Sequence, residues 1–146
     1  MGYYMRFLIT DPGPVDLADL AASLKLANPG YQLDYEPDAG TLSLAGVPIA
    51  GIEVNTPGDG LFEDELAELE ESASEGSGPG EARVANALAT ANAIFAVQVL
   101  NAATGPEGSL ESLDPVWEWL FTNRRGLLQA DAEGYYDSDG LIFEVP

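Results

Sequence analysis

The fold of this chain is decided by residues Ala82 to Leu100, which read ARVANALATANAIFAVQVL. No other stretch of the sequence is so apolar for so long. Its 19 residues match the length of a membrane-spanning helix. Polar residues interrupt it, however, at Arg83, Asn86, Thr90, Asn92 and Gln98. The stretch is therefore predicted to lie deep in a folded core and not in a bilayer.

A change of composition at Ala93 divides this stretch into two elements. The part up to Asn92 has helical composition with an apolar face, and the part that follows is rich in β-forming residues. We predict a helix to about residue 92 and a buried central strand over residues 93–101. A single helix over residues 81–102 is the alternative, because periodicity alone does not assign a short apolar run.

The order of elements around this stretch indicates the fold class. The central strand is followed by a Gly/Pro loop over Ala102–Gly108, a helix ending at Gly126, a strand, an Asp/Gly turn and a final strand. The first half, from Tyr3 to Leu44, has the same order. The sequence predicts a single α+β domain over residues 1–146. We expect an antiparallel or mixed sheet of six to seven strands, with helices packed on it and two duplicated split βαβ units.

Two local features modify this outline. Pro48 falls inside the predicted strand Val47–Val54, which indicates an edge position or a β-bulge, because proline has no N–H to donate. Residues 72–80 read SASEGSGPG, and this Gly/Ser-rich composition predicts a mobile loop.

The amino-acid composition excludes several classes of chemistry. Hydrophobic residues make up 46% of the chain, which is typical of a globular protein. Cysteine and histidine are both absent. Disulfides, thiolate and histidine metal sites, and Ser-His-Asp or Cys-His catalysis are therefore excluded. No sequence motif indicates a cofactor.

The charge balance restricts the partners that the protein can bind. The net charge is −20, and Lys25 is the only lysine. Such a charge repels nucleic acid and anionic membranes, and it attracts a basic protein. Solvation, or adaptation to salt, explains the same composition without any partner. Residues Met1 to Arg6 lack the pattern of a signal peptide, so a cytoplasmic location is predicted.

One cluster of acidic residues could carry chemistry. Its members Asp131, Glu133, Asp137 and Asp139 lie close together near the C-terminal end of the sequence. Paired carboxylates can act as general acid and base, or they can hold Mg²⁺. A calcium loop is excluded, because Leu141 occupies the position of its third ligand. The alternative is a solvated connection between strands.

A second group of residues could form an interface. Trp119 falls at the margin of the apolar stripe of its helix, so we predict that it is partly exposed beside Arg124 and Arg125. An acidic helix containing Glu63 and Glu68 is a candidate docking site for a basic partner. Core packing and a solvated helix face are the respective alternatives.

The order of elements supports two resemblances. The passage through Ala87–Gln98, followed by Asp114–Gly126 and Gly140–Glu144, resembles uncharacterised bacterial α+β domains. That resemblance implies a fold and no activity. In size, low pI and a helix followed by three strands over Pro14–Val54, the chain is similar to the small acidic chaperones of bacterial secretion systems. This second resemblance implies binding of a basic partner.

Three hypotheses about function follow. The first is a non-enzymatic protein-binding module with a basic protein partner, of which a binder like the secretion chaperones is one form. The second is a hydrolase that uses Mg²⁺ or carboxylate acid–base chemistry at the acidic cluster. The third is a homo-oligomer whose interface contains Trp119.

Overall fold

The computed structural model describes residues 3–100 and 112–145. Within these ranges it contains one sheet of eight strands and four helices. In chain order the elements are β1 (Tyr3–Ile9), α1 (Leu17–Ala27), β2 (Tyr31–Glu36), β3 (Ala39–Leu44), β4 (Val47–Asn55), α2 (Leu61–Ala73), α3 (Glu81–Thr90), β5 (Ala93–Val99), α4 (Asp114–Asn123), β6 (Gly126–Ala130), β7 (Gly134–Asp137) and β8 (Gly140–Glu144). The predicted loop Ala102–Gly108 lies outside the described residues.

The predicted division at Ala93 is confirmed, and the single-helix alternative is wrong. Helix α3 ends at Thr90 and β5 begins at Ala93. Asn92 stops the helix, because its backbone N–H donates to the carbonyl of Ile9 at 2.7 Å and its side chain donates to the carbonyl of Thr10 at 2.8 Å. No helix in the described part of the chain has the length and apolarity needed to cross a membrane.

The strands form one antiparallel sheet in the order β2-β3-β4-β5-β1-β6-β7-β8. The α+β class is therefore confirmed, and β5 lies inside the sheet between β4 and β1. The predicted count of six to seven strands is wrong. The additional strand is β7, which has four residues. It lies in a segment that the sequence predicted to be a solvated connection between strands.

The predicted duplication holds for the order of elements but not for their arrangement. Neighbouring strands are antiparallel, so β5 and β6, which flank β1, run parallel to each other. With α4 between them in the chain, they form a split βαβ unit. The corresponding strands β1 and β2 are separated by β5, β4 and β3. The two halves therefore do not share one topology.

The helices cover both faces of the sheet, but they are offset from each other. On one side, the α1/α4 face, the core joins these helices to β1–β5 and extends to Leu128 of β6, with Tyr136 of β7 packed against it. On the other side, the α2/α3 face, the core joins these helices to β5, β1 and β6–β8. Among the described residues, each face thus has one end without a helix. These ends are β6–β8 on the α1/α4 face and β2–β4 on the α2/α3 face.

The uncovered β2–β4 end is polar. Strand alternation places Gln32, Asp34, Glu36, Thr41 and Glu53 on this surface, and all of them are exposed. Polar side chains are the usual composition of the open face of an antiparallel sheet. Water satisfies these groups, so the β2–β4 end needs no covering element.

Pro48 lies at an irregularity in the sheet. The register between β3 and β4 shifts between Leu42 and Ser43, and Ser43 is paired with Pro48. Pairing between β4 and β5 begins only at Ala50, so no neighbouring β5 carbonyl requires an N–H from residue 48. Of the two predicted alternatives, the register shift supports the bulge, and the edge position is wrong because β4 lies between β3 and β5.

The predicted loop over residues 72–80 begins in the last turn of α2, and residues 77–80 lie along the outer edge of β8. The backbones of Ser77 and Glu144 exchange two hydrogen bonds of 2.9 and 2.8 Å, and the N–H of Gly80 donates to the carbonyl of Ile142 at 2.8 Å. A Cβ at Gly76 would lie 2.4 Å from the Phe143 ring. The segment therefore covers this edge of the sheet. Its predicted mobility stays a prediction.

Candidate functional site

An open cleft lies at the uncovered β6–β8 end of the α1/α4 face. Its volume is about 720 Å³, within the range of about 300–1,000 Å³ that is typical of ligand sites. Helix α4 forms one wall, strands β1, β6 and β7 form the floor, and the β7–β8 turn closes the far side. The apolar and aromatic lining residues are Tyr3, Met5, Trp117, Phe121, Leu128, Ala130 and Tyr136.

The strand register assembles the floor of this cleft. Met5 of β1 is paired with Ala130 of β6, and Leu128 of β6 is paired with Tyr136 of β7. Residues paired in this way lie side by side on one face of the sheet. The floor is therefore apolar, whereas the uncovered β2–β4 end is polar. An open apolar surface of this kind marks a binding site more often than a solvated face does.

The rim of the cleft is acidic. Its five carboxylates belong to Asp114, Glu118, Glu133, Asp137 and Asp139. The first two lie on α4, and the others lie on or beside the turns that flank β7. No arginine or lysine is present among the described residues that line the cleft. An apolar floor within a negative rim favours a ligand that is both apolar and cationic.

Glu133 holds two tyrosine hydroxyls at the mouth of the cleft. Tyr3 donates to one carboxylate oxygen at 2.5 Å, and Tyr136 donates to the other at 2.6 Å. Burial and this hydrogen bond raise the pKa of Tyr136 to about 12, and the same causes raise the pKa of Tyr3. Both hydroxyls therefore stay protonated at neutral pH and keep Glu133 in place as an acceptor.

Asp137 is occupied by structural contacts. One carboxylate oxygen accepts from the backbone N–H groups of Asp139 and Gly140 at 2.8 and 3.1 Å, which closes the β7–β8 turn. The other oxygen pairs with Arg83 of α3 at 2.6 Å. The Arg83 guanidinium and these N–H groups lower the pKa of Asp137. Asp139 is exposed on the turn.

Asp131 lies apart from the other three predicted carboxylates, in a charged network on the α2/α3 face. Its oxygen accepts from Arg6 Nη1 at 2.8 Å, and Arg6 also pairs with Glu65 of α2. Gln129 accepts from the same Arg6 nitrogen at 3.0 Å, and Asn55 donates to Glu65 at 3.1 Å. The Arg6 and Glu65 side chains are 12% and 16% exposed, whereas that of Asp131 is 39% exposed, so the network is buried at Arg6 and Glu65 and partly open to water at Asp131.

The predicted acidic cluster is thus distributed over two faces of the sheet. Within residues 3–100 and 112–145, no group of three or more Asp and Glu side chains is placed to hold a metal ion. Glu133, Asp137 and Asp139 share the cleft, and Asp131 does not. Asp131 and Glu133 both lie in the turn between β6 and β7. Asp131 continues the alternation of β6 and lies beside Gln129 on the α2/α3 face, whereas Glu133 lines the cleft.

Two acids on α4 have no cationic partner among the described residues. Asp114 and Glu118 are separated by one helical turn, so their carboxylates are neighbours on the helix surface. Burial and the charge of Glu118 raise the pKa of Asp114. Between them in sequence, Trp117 lines the cleft, and its indole N–H is buried without an acceptor in the described part of the chain.

The predicted exposure of Trp119 is wrong. This residue is 7% exposed, and its indole N–H donates to Asp19 of α1 at 2.9 Å. Helix α1 packs beside α4 and covers the margin of the apolar stripe, which helical angle alone does not reveal. The Trp119 side chain therefore joins two helices, and its predicted role in an interface between copies stays a prediction.

Arg124 is likewise an internal contact. Its guanidinium pairs with Asp11 at 2.9 Å and donates to the backbone carbonyls of Asp11, Pro12, Gly13 and Pro14. It thus fixes the loop between β1 and α1. Arg125 has an exposed side chain, and only its backbone takes part: its N–H donates to the Asp11 carboxylate at 2.8 Å, and its carbonyl accepts from the N–H of Thr10 at 2.9 Å.

These positions predict different effects for two adjacent arginines. Arg124→Ala is expected to lower the free energy of unfolding by about 1–3 kcal/mol, because the Asp11 carboxylate and four backbone carbonyls of a partly exposed loop lose their donor. Arg125→Ala, the matched control, is expected to stay within about 0.5 kcal/mol of the wild type. Urea unfolding measures both, and equal effects would contradict the assigned contacts.

The contribution of Arg124 to the free energy of unfolding is also expected to depend on pH. Burial alone would raise the pKa of Asp11, but the Arg125 N–H and the Arg124 guanidinium outweigh it and hold this pKa below its usual value. Such a carboxylate stabilises the fold above its unfolded pKa of about 3.9 and loses that contribution as pH falls through the folded pKa. The difference between the wild type and Arg124→Ala should therefore shrink below about pH 4.

The two acidic candidates on α2 are exposed on the α2/α3 side. Glu63 accepts from the N–H groups of Gly58 and Gly60 at 2.9 and 3.1 Å and so caps α2. Glu68 is exposed. Neither lines the cleft. The sequence therefore identified three rim residues but missed the floor and the pair Asp114 and Glu118, which become neighbours of β7 only through the sheet order.

No protein-family model, curated protein or solved structure matches this chain.

Proposed function

We propose that this protein is a non-enzymatic binding module whose cleft receives a basic, amphipathic segment of a partner protein. The observation that carries the proposal is the apolar floor enclosed by five carboxylates at the uncovered β6–β8 end. Apolar side chains of the segment would cover Met5, Leu128 and Tyr136, and its cations would face the rim. The cytoplasmic location predicted from the sequence remains part of this proposal.

Charge favours a different protein over a second copy of this chain as the occupant. The net charge is −20, so two copies repel each other at every orientation that brings their acidic surfaces together. A basic segment is attracted by the same field, which also speeds its encounter with the cleft. Binding is therefore expected to weaken as salt is added.

The first experiment measures binding of fluorescein-labelled pools of 12-residue peptides by fluorescence anisotropy. One pool mixes Arg and Lys with Leu, Ile, Phe and Trp. A second pool has Asp and Glu as its charged residues, and a third has Ser and Gly as its uncharged residues. We expect dissociation constants of about 1–100 μM for the first pool only. Equal binding of all three pools would contradict the proposal.

A pair of variants places the binding in the cleft. Thr122 is exposed on α4 and lines the cleft, so Thr122→Arg introduces a competing cation there. Ala89 is exposed on α3 and does not line the cleft, so Ala89→Arg adds the same charge elsewhere. Thr122→Arg is expected to weaken binding about tenfold or more and Ala89→Arg less than about threefold. Equal effects would place the binding outside the cleft.

A further inference from the structure

We infer that Asp114 and Glu118 form the cation subsite of this cleft and that it receives an arginine side chain of the partner segment. This inference rests on the proposed function, because it specifies how the same cleft recognises its ligand. It names two of the five rim carboxylates as the binding site for the cation. It also names arginine, and not lysine, as the side chain that binds there.

Hydrogen bonding separates four of the rim carboxylates into two groups, and the fifth, Asp139, is an isolated exposed side chain on the β7–β8 turn. Glu133 is occupied by the hydroxyls of Tyr3 and Tyr136, and Asp137 is occupied by Arg83 and the β7–β8 turn. A ligand cation at either acid would have to share or displace contacts that the fold already makes. Such displacement reduces the free energy available for binding.

Asp114 and Glu118 are in the opposite situation. Among the described residues neither accepts a hydrogen bond from a cationic side chain, and one helical turn separates them. Like charges at this spacing destabilise a helix. The raised pKa of Asp114 reflects its burial and this repulsion. A cation bound between the two carboxylates relieves the repulsion, so binding at this point gains more than binding at an isolated acid.

Trp117 gives an independent indication that a ligand completes this wall. It is 6% exposed and lines the cleft, yet its indole N–H has no acceptor in the described part of the chain. A buried donor without an acceptor is unfavourable, and native structures contain few of them. A backbone carbonyl of a bound peptide would satisfy this donor only if the wall of the cleft shifted on binding, because the indole nitrogen has less than 1 Å² of accessible surface.

The aromatic wall favours arginine over lysine. Trp117 and Phe121 lie on α4 beside the two acids and line the same cleft. A guanidinium is planar, is weakly hydrated, stacks on aromatic rings and has several donors in a fixed fork. It can therefore contact two carboxylates and a ring at once. The compact, strongly hydrated ammonium of lysine does not combine these contacts equally well.

The test uses three peptide pools of the amphipathic design above, in which every charged position is arginine, lysine or citrulline. Citrulline keeps the shape of arginine without its charge. We expect the wild type to bind the arginine pool about fivefold or more tightly than the lysine pool, and the citrulline pool most weakly. Equal affinity for the arginine and lysine pools would overturn the choice of arginine.

The subsite is located with four variants that each remove one negative charge. Asp114→Asn and Glu118→Gln are each expected to weaken binding of the arginine pool about tenfold. Asp139→Asn, on the opposite rim, and Glu68→Gln, outside the cleft, should each weaken it less than about threefold. Equal losses in all four would show that binding follows net charge and would overturn the subsite.

The failures of the two proposals are distinguishable. If the wild type binds none of the basic amphipathic pools, the proposed function itself is wrong. A different result would contradict only the subsite. In that case the wild type binds these pools and Thr122→Arg weakens binding, but Asp114→Asn and Glu118→Gln do not. The cleft would then remain the proposed binding site, and the subsite would be wrong. Thermal unfolding of each variant verifies that it is folded at the temperature of the titration.

Discussion

Replacing Gly126 by alanine is expected to lower the free energy of unfolding by about 4 kcal/mol or more. Gly126 begins β6 and pairs with Ile9 in the middle of the sheet. Its φ of +153° is one that residues with a side chain rarely adopt, and a Cβ there would lie 1.7 Å from the carbonyl oxygen of Leu8. The clash is with backbone, so β1 and β6 would have to separate.

Gly140→Ala is the matched control for this prediction. Gly140 also has a positive φ, +133°, but no other heavy atom lies within 4 Å of the position of its Cβ. Alanine at this turn is expected to cost only the strain of the backbone, about 1–2 kcal/mol. Urea unfolding of both variants separates strain from steric clash. A Gly126→Ala variant no less stable than Gly140→Ala would disprove the close approach of β1 and β6.

The second large effect is expected from Arg6→Met. Arg6 lies between Glu65 and Asp131 on the α2/α3 face, and removing it leaves two acids close together without a cation. Breaking a buried ion pair from one side costs about 3–5 kcal/mol, because the remaining charge is poorly solvated. Glu65 is buried in this way, but Asp131 is 39% exposed and keeps part of its solvation, so Arg6→Met should lower the free energy of unfolding by about 2–4 kcal/mol.

Arg83→Met provides the comparison for Arg6→Met. Arg83 also forms an ion pair, with Asp137, but its side chain is 57% exposed. Exposed pairs contribute about 0–1 kcal/mol, so this variant should remain close to the wild type. Urea is the suitable denaturant, because guanidinium would screen both pairs. The double variant Arg6→Met with Glu65→Gln should recover part of the loss, since one uncompensated charge is removed.

Local sequence signals were sufficient to predict the helices and most of the strands. The shift from alanine-rich to β-branched and aromatic residues at Ala93 marked the passage from α3 to β5 correctly, and Pro48 marked the bulge in β4. Both signals depend on chemistry within a few residues. They can therefore be recognised without knowing which strands are neighbours in the sheet.

Predictions from the sequence were wrong where the structure depends on contacts between elements that are far apart in the chain. Strand β7 is short, and the acids around Tyr135 and Tyr136 gave its segment the composition of a solvated connection. The alternation is nevertheless present, because Tyr135 packs in the α2/α3 core and Tyr136 borders the cleft. Trp119 was misplaced because its neighbour Asp19 belongs to another helix. The cleft depends on the sheet order, which no local pattern specifies.

The covering of β8 limits how copies of this protein can associate through their sheets. Residues Ser77 and Gly80 bond to the outer side of β8, whereas in the described part of the chain no segment pairs with the outer side of β2. Growth of a fibre by edge-to-edge stacking needs two free edges on every copy. With one edge occupied, such pairing ends at two copies. The chain therefore resists open-ended polymerisation by geometry as well as by charge.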